Sequence, residues 1–282
     1  MYEQQEKLEY SYSRKHVLSQ IRKWLLEQPE IVEKIDSGVK LLNDSNIDLN
    51  NLDQYELVRD VLLHSSILFN EELFVSFTAQ LANILGFSEK PDAIALMAEI
   101  VVLLAELDVY DIGKASKQAS LTVKSRIVLP QDMVNAVHRS HYLPPMLVEP
   151  LPINNNYQSP YLTFNEVQIL GKGNAHSNDI CLDVINTQNA IPLVLCQELI
   201  STVEERQTNP PETMEQQKQW MVFKKQSQEL YELIDDKEFY LTNKVDKRGR
   251  LYVSGYHVNT MGNPFKKASV ELARKECVDG VP

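Results

Sequence analysis

Apolar residues recur at helical spacing through most of the first 107 residues. Positions three or four apart lie on the same face of an α-helix, so each such run predicts a helix with one buried face. The run from Pro91 to Leu107 is apolar nearly all round, which predicts a central helix. We expect a helical bundle with helices over residues 14–28, 29–42, 53–69, 73–85 and 91–107, in which Gly86 ends the fourth and Ser88 caps the fifth.

After Leu107 the apolar period changes from helical to alternating. Residues 109–112 and 121–128 alternate in the manner of strands, and a polar stretch joins them. We predict a β-hairpin over residues 108–129 that projects between two helices. This segment carries the cations Lys114, Lys117, Lys124 and Arg126, which could bind nucleic acid. The competing interpretation is an ordinary surface hairpin without such a role.

A proline-rich segment follows a predicted helix at residues 131–142. Residues 143–152 contain four prolines, each of which fixes φ and removes a backbone donor, so we predict an extended strap across a surface. A domain boundary is expected in the asparagines 154–156. His138 and His141 have no third ligand nearby, and we expect no metal site there.

Helical spacing returns at residue 179. Pro192 predicts a break and the start of a new helix to about Gln207, and Asn209-Pro210-Pro211 then reverses the chain. The last of these helices is expected from Glu212 to Asp235. The pair would form an antiparallel helical hairpin, and neighbouring acids balance its three cations Lys218, Lys224 and Lys225.

A basic turn interrupts alternating residues near the C-terminus, with the sequence Asp246-Lys247-Arg248-Gly249-Arg250-Leu251-Tyr252. An Asp can accept backbone hydrogen bonds and Gly249 is free to take a positive φ, so we predict a sharp turn between strands 238–245 and 251–258. Asp-x-x-Gly is by itself an ordinary turn, but three cations beside it suit a phosphate backbone. Asn263-Pro264 predicts the start of a last helix. Two strands and a helix bury little core, so we expect a partner chain to supply the rest of this sheet.

The composition, with 43% hydrophobic residues, is that of a folded protein. The longest apolar stretch, residues 93–107, is interrupted by Glu99 and Glu106 and is too short to span a bilayer. The N-terminus lacks the apolar region of a signal peptide. The three cysteines, Cys181, Cys196 and Cys277, lack metal-ligand spacing and fit a reducing cytosol.

The net charge of −11 at first argues against nucleic acid, because phosphate binding depends on Lys and Arg. Its distribution changes that view. Residues 237–282 hold nine Lys and Arg against five Asp and Glu, a net charge of +4, and residues 110–142 hold five cations against two acids. The acidic remainder is expected to be outer surface or a face for a basic partner.

The context of the basic turn resembles the single-subunit RNA polymerases of phages and mitochondria. Asp246-x-x-Gly249-Arg250-x-Tyr252, followed by Asn-Thr-Met-Gly-Asn-Pro-Phe-Lys-Lys at 259–267, is similar to the family's entry into the palm. In the family's order, residues 143–152 resemble the strap that closes its N-terminal domain, and residues 185–192 resemble its entry to the thumb. The resemblance covers roughly residues 94–275, and the first 90 residues match no family we can place.

The resemblance implies a role for each basic segment. The turn would touch the template strand and the RNA–DNA hybrid, and the hairpin would wedge into the upstream edge of the transcription bubble. The helical hairpin would be a thumb, although a plain helical hairpin packed on the domain is the competing interpretation. The implied nucleic-acid contacts of the turn region are Asp246, Lys247, Arg248, Gly249, Arg250, Tyr252, Lys266 and Lys267.

The sequence departs from the family because it reaches Pro282 without the two metal-binding palm aspartates or the fingers lysine and tyrosine. It therefore resembles the small subunit of the heterodimeric form, as in RNA polymerase II of Enquatrovirus-type phages. This implies a noncatalytic subunit that binds no cofactor itself and is inactive alone. A large catalytic subunit would hold Mg²⁺, and the other partners would be template DNA, the RNA–DNA hybrid and a single-stranded-DNA-binding activator, in the cytoplasm of an infected bacterial host.

The expected fold class is mainly α with small β elements (α+β), in three parts. These are an N-terminal helical domain (1–153), a connector with a thumb-like helical hairpin (154–236) and the edge of a palm that a partner completes (237–282). The competing function is a helical adaptor or nucleic-acid-binding module without a polymerase partner. A second chain with two palm aspartates would distinguish the two functions.

Overall fold

The computed structural model of the chain describes residues 1–45, 47, 49, 52–84, 90–114, 120–171, 173–207 and 209–274. The fold is mixed α+β, with about 50% helix and about 11% strand in small sheets. This confirms the predicted fold class at the level of secondary structure. Within the described ranges, we find no helix that is both long and apolar enough to cross a membrane.

The helices and strands alternate irregularly along the chain. The helices are α1 (Tyr2–Tyr12), α2 (Arg14–Leu26), α3 (Pro29–Asp44), α4 (Gln54–Ser66), α5 (Phe74–Ile84), α6 (Lys90–Ala105), α7 (Gln131–Arg139), α8 (Leu182–Asn189), α9 (Gln197–Thr202), α10 (Met214–Ile234) and α11 (Pro264–Ala268). The strands are β1 (Glu72–Leu73), β2 (Tyr110–Lys114), β3 (Leu121–Ser125), β4 (Leu193–Leu195), β5 (Asn243–Val245), β6 (Leu251–Val253) and β7 (Val270–Leu272).

The chain divides into two compact units. Unit 1 comprises Met1–His16 and His138–Pro282, and unit 2 comprises Val17–Val137. This grouping differs from the three consecutive parts expected from the sequence, because the first sixteen residues belong with the C-terminal half. The three-part division by role stays a prediction.

Unit 2 has the predicted helical core, with α6 at its centre. Met97, Ile100, Val101 and Leu104 of α6 are fully buried, as the nearly uniform apolar pattern predicts. Helix α3 comes close to α6 at Gly38, where a Cβ atom would lie 2.8 Å from Leu104 Cδ2. The absence of a side chain therefore permits this packing. The predicted end of the fourth helix at Gly86 and the N-cap Ser88 lie outside the described residues.

The predicted hairpin is present in unit 2 as β2 and β3, which pair antiparallel with Tyr110 opposite Ser125 and Lys114 opposite Leu121. The second strand ends at Ser125 rather than at Val128, which is 82% exposed. A short strand that we did not predict, β1, pairs with the other edge of β3. It has only two residues and runs directly into α5, so its one apolar residue, Leu73, looks like part of that helix in the sequence.

Helix α1 of unit 1 was not predicted, because its buried face mixes the apolar Leu8 and Tyr12 with the polar Gln5 and Glu9. Gln5 and Glu9 are both fully buried. The Glu9 carboxylate accepts hydrogen bonds from the Thr163 N–H at 2.6 Å, the Thr163 hydroxyl at 2.6 Å and the Leu162 N–H at 3.1 Å. The Gln5 amide oxygen accepts from the Leu147 N–H at 2.6 Å. Buried polar groups are tolerated when they are hydrogen-bonded in this way, and an apolar pattern cannot reveal them.

The proline-rich segment 143–152 is non-helical, as predicted, but its placement on a surface is wrong. Met146, Leu147 and Val148 are buried. Met146 pairs with Tyr240 in an isolated antiparallel bridge, which includes a 2.9 Å hydrogen bond from the Met146 N–H to the Tyr240 carbonyl. The strap is therefore part of the core of unit 1.

The predicted helix from Pro192 to Gln207 is wrong. Residues 193–195 form strand β4, and only Gln197–Thr202 of this segment is helical. Leu193 exchanges hydrogen bonds with Phe239 on one side of β4, and the strand pairs with β7 on the other. The apolar pattern of this segment favours a helix only weakly, and pairing on both sides of β4 outweighs that preference. The long helix expected at 212–235 is confirmed as α10, with a capping box at Thr213 and Gln216.

The C-terminal segment packs against this chain's own residues, so the expectation that only a partner could supply its sheet is wrong. Phe239 and Val245 are buried, and Val245 bridges in parallel to Ile169. The predicted strands are shorter than expected, since β5 and β6 cover three residues each. The last helix is confirmed as α11, whose N-cap Asn263 accepts a 2.9 Å hydrogen bond from the Lys266 N–H.

Candidate nucleic-acid interface

The basic turn joins β5 to β6 and is organised by one carboxylate. Asp246 Oδ1 accepts hydrogen bonds from the backbone N–H of Arg248 at 2.8 Å and of Arg250 at 3.0 Å. The backbone closes the loop through Asp246 N–H to the Arg250 carbonyl and Gly249 N–H to the Asp246 carbonyl, both at 2.9 Å. Gly249 has a φ of +77°, a conformation that disfavours other residues. The prediction of a sharp Asp-and-Gly turn is confirmed.

The base of the turn is anchored by polar contacts on β5. Asn189 Oδ1 accepts from the Asn243 N–H at 2.8 Å, and the buried Lys244 forms an ion pair with the half-buried Glu166. The Val245 N–H donates to the Gln168 carbonyl at 3.0 Å, and the Leu170 N–H donates to the Val245 carbonyl at 2.7 Å. Strand β5 therefore has pairing on both sides, and the turn projects from a fixed base.

The Asp246 carboxylate is held in its charged form. Partial burial raises its pKa, but hydrogen bonds from the backbone and side chain of Arg248 and from the backbone of Arg250 outweigh this effect and lower the pKa to about 2. The group is therefore ionised throughout the neutral range. Its negative charge offsets one of the cations of the turn.

The three cations of the turn differ in their engagement. Arg248 donates from Nε at 2.9 Å and from an Nη at 2.7 Å to Asp246 Oδ2, so its guanidinium is already paired within the turn. Lys247 and Arg250 are exposed. Among the described residues, neither of these two side chains has a hydrogen-bond or ion-pair partner. The turn thus fixes the Arg250 backbone through Asp246 and leaves the Arg250 guanidinium available to a ligand.

The other residues expected at this interface are likewise either engaged by groups of this chain or exposed. Tyr252 is half-buried and its hydroxyl lies 3.5 Å from Asp246 Oδ2. Lys266 Nζ lies 4.7 Å and 4.8 Å from the ring centroids of Phe223 and Tyr256 and donates to the Tyr256 carbonyl. Burial lowers the pKa of Lys266. Lys267 is exposed on α11.

An aromatic cluster that the sequence did not reveal packs beside Lys266. Tyr142 and Tyr256 stack with centroids 3.6 Å apart and planes 3° apart, and Phe223 stacks on His257 at 5.0 Å. Burial, together with the charges of Lys266 and Arg139, lowers the pKa of His257 to about 3, so its imidazole is neutral. The cluster joins residues from distant parts of the chain, and no local spacing signals it.

The hairpin cations lie in unit 2. Lys114 and Lys124 are exposed, whereas Arg126 pairs with Asp108 and with Asp111, to which its Nε donates at 2.8 Å. Lys117 lies outside the described residues. The hairpin therefore presents fewer unpaired cations than its sequence suggests.

On α10, Lys224 pairs with Glu204, and Lys225 lies 3.9 Å from Glu229. Lys218 is exposed. Neighbouring acids thus balance two of the three cations, as the sequence suggested. In the described part of the chain, no three His, Cys, Asp or Glu side chains are grouped so that they could hold a metal ion.

Comparison with known proteins assigns no family to this site. The family models give no match, and neither does a search of curated proteins. The resemblance to phage and mitochondrial RNA polymerases therefore rests on the motifs themselves.

Proposed function

We propose that this chain is the noncatalytic small subunit of a two-chain DNA-directed RNA polymerase. It contacts template DNA and the RNA–DNA hybrid and helps to hold the bubble open, while a partner chain catalyses nucleotidyl transfer with Mg²⁺. The complex acts in the cytoplasm of an infected bacterial host. The observation that carries the proposal is the turn at Asp246–Arg250, which holds one Arg backbone in place and leaves its guanidinium unpaired among the described residues.

The chemistry of Arg250 suits a phosphate backbone. A guanidinium is always charged and presents donors in a planar fork, which matches two phosphate oxygens. Phosphate contacts position a nucleic acid without reading its sequence. A subunit that must hold any template and any hybrid needs this kind of contact, and exposed Lys247 in the same turn adds a second charge.

The local charge agrees with this assignment. Although the whole chain carries −11, residues 237–282 carry +4. Because exposed charges act over only about 8 to 10 Å at physiological salt, the local balance decides where a polyanion binds. The exposed Lys114 and Lys124 of the hairpin provide a second, weaker site for nucleic acid.

The proposal is tested by isolating the chain from its natural host through an affinity tag and identifying its partners by mass spectrometry. We expect one stoichiometric partner with the two metal-binding palm aspartates, and RNA synthesis by the complex with nucleotides and Mg²⁺. The chain alone should synthesise no RNA on any template. Synthesis by the homogeneous chain, or recovery without any polymerase-like partner, would contradict the proposal, and the latter would favour the adaptor function.

A further inference from the structure

A cleft in unit 1 lies between the N-terminal part of α10 and the loop that precedes it. It encloses about 640 Å³, which is within the range of roughly 300 to 1,000 Å³ typical of small-ligand sites. Its walls come from the aromatic residues Trp220, Phe223 and Tyr256 and from polar and proline residues of 207–219. None of the cations considered above lines it.

The aromatic wall of the cleft is preorganised. Trp220 and Phe223 stack with centroids 5.0 Å apart and planes 15° apart, and Phe223 meets Tyr256 edge-on at 5.2 Å. Tyr256 is held by its stacking on Tyr142 and by Lys266 over its ring. Yet Tyr256 remains 39% exposed and Trp220 is only half-buried. Phe223 is itself buried between Trp220 and His257. The face of Trp220 that does not stack on Phe223 can therefore accept a flat ring without rearrangement.

The polar wall supplies hydrogen-bonding groups that the protein itself does not use. In the described ranges, the side-chain amides of Gln207, Asn209 and Gln219 and the carboxylate of Glu212 have no hydrogen-bond partner. Gln216, by contrast, is occupied because its Oε1 caps α10 by accepting from the N–H groups of Glu212 and Thr213. The cleft therefore combines ring faces with free amide donors and acceptors and one free carboxylate.

We propose that this cleft binds one unpaired, amino-bearing nucleobase of a single-stranded nucleic acid. Stacking on aromatic rings is the usual way in which proteins hold unpaired bases. Amide side chains pair with the edge of adenine, and a carboxylate accepts from an exocyclic amino group. Adenine and cytosine therefore fit better than thymine, which has no amino group. The nearby carboxylate of Glu212 disfavours a phosphate inside the cleft, so the sugar–phosphate backbone lies outside it.

The inference deepens the proposed function, on which it rests for the presence of a nucleic-acid strand near α10. A proline-rich peptide also stacks on aromatic grooves. Such a peptide would contact the ring faces but would leave the three amides and the carboxylate without hydrogen-bond partners. We therefore assign the cleft to a base and treat peptide binding as an outcome of the test.

The test uses intrinsic fluorescence of the full chain. The chain has two tryptophans, so Trp24→Phe leaves Trp220 as the only indole reporter. The variant is titrated with a short deoxyadenosine oligonucleotide, with a thymidine oligonucleotide and with an abasic strand of the same length. We expect saturable quenching by the adenine strand, weaker quenching by the thymine strand and none by the abasic strand.

Affinities of labelled strands for the cleft variants complete the test. Trp220→Leu should weaken binding of the adenine strand by roughly five- to a hundredfold, the range found for loss of one stacked base, and should leave the abasic strand unaffected. Trp220→Tyr should restore most of the affinity, and Gln219→Ala should reduce the preference for adenine over thymine. Equal quenching by the abasic strand, or quenching by a proline-rich peptide and not by the oligonucleotides, would overturn the assignment.

The two proposals fail separately. If the host complex synthesises RNA while Trp220 shows no base-dependent quenching, only the cleft assignment is overturned. If base-dependent quenching of Trp220 and the weaker binding of the adenine strand by Trp220→Leu are observed but no polymerase partner is recovered, the base-binding cleft stands and the proposed polymerase function is overturned.

Discussion

The basic turn of unit 1 and the hairpin of unit 2 are both strand–loop–strand segments with several cations, but acids act differently in them. In the turn, Asp246 binds two backbone N–H groups and the guanidinium of Arg248, so the backbone of Arg250 is held and its side chain is left unpaired. In the hairpin, Asp108 and Asp111 both pair with Arg126 itself. The same residue types thus produce a presented arginine in one place and a neutralised one in the other.

This difference shows that cation counts are a poor guide to a nucleic-acid surface. Arg126, Arg248, Lys224 and Lys266 are each engaged by groups of this chain. Arg250, Lys247 and Lys267 are exposed and carry no partner within the described residues. We expect this division, rather than the number of charges, to determine binding.

The largest effect is expected from Asp246→Ala, although it removes a negative charge. Without the carboxylate, the N–H groups of Arg248 and Arg250 lose their acceptor and the turn no longer fixes Arg250. Affinity for an RNA–DNA hybrid should fall by about a hundredfold, as for loss of an oriented charge-assisted contact together with its support. Fluorescence anisotropy of a labelled hybrid measures this change.

Asp246→Asn is the matched control, because its amide oxygen can still accept the two backbone bonds while Arg248 is released. We expect binding at or above the wild-type level.

Because Asp246 has a pKa lowered from 3.8 to about 2, its contribution is complete above pH 4 and is lost only as the pH falls toward 2. Hybrid binding through the turn should therefore not change between pH 5 and pH 8 on account of this group. Equal losses of hybrid affinity in Asp246→Ala and Asp246→Asn would show that the backbone hydrogen bonds to the side chain at position 246 do not determine binding.

The next effect is expected from Arg250 itself. Arg250→Ala should weaken hybrid binding and elongation by roughly ten- to a hundredfold, because one charge-assisted hydrogen-bonded contact contributes about 1.5 to 3 kcal/mol. Arg250→Lys keeps the charge but loses the fork, so a partial loss is expected. Arg248→Ala should change binding less, since its guanidinium is already paired. Assembly of the complex, followed by size-exclusion chromatography, should be normal in all three variants.

A smaller effect is expected from the hairpin. Replacing Lys114 and Lys124 together by Ala should reduce transcription severalfold from duplex or partly melted templates and less from single-stranded ones, because the proposed wedge would matter only where strands separate. Shortening the hairpin between Asp111 and Val128 should show the same template dependence more strongly. Arg126→Ala is the control, and it should alter stability by about 0 to 1 kcal/mol without this preference. Equal losses on both kinds of template would indicate a folding role.

The smallest effect is expected from the pair Lys266 and Lys267. Lys267→Ala should weaken hybrid binding about two- to fivefold, as for one exposed phosphate contact. Lys266→Met should leave binding unchanged but lower the free energy of unfolding by roughly 0.5 to 2 kcal/mol, because it removes a cation over two aromatic rings. A larger loss of hybrid affinity in Lys266→Met than in Lys267→Ala would contradict the assignment of Lys266 to the engaged cations and of Lys267 to those that bind nucleic acid.

Local chemistry made part of this architecture predictable. The α6 core follows from its apolar period, and the turn follows from an Asp three residues before a Gly with positive φ. Pairing over long sequence distances was not predictable. Strand β4 looked helical because its partners, Phe239 and β7, lie more than forty residues away. Helix α1 was missed because two of its four buried residues, Gln5 and Glu9, are polar.

The candidate site shows the same limit. The sequence identified Arg250 from its motif, but it could not show that Arg248 and Lys266 are engaged within the chain. The clustered aromatic residues Tyr142, Phe223 and Tyr256 come from three separate segments. Only the folded chain brings these residues together, so the aromatic cleft could not have been found from spacing.

The most direct test of the account is the salt dependence of hybrid affinity for the wild-type chain, Arg250→Ala and Arg248→Ala. Each phosphate contact adds roughly 0.7 to 0.9 to the slope of log affinity against log salt concentration. We predict that Arg250→Ala lowers the slope by about one contact and that Arg248→Ala leaves it unchanged. Equal slopes for all three proteins, or a larger drop for Arg248→Ala, would contradict the claim that the turn presents Arg250 to a phosphate.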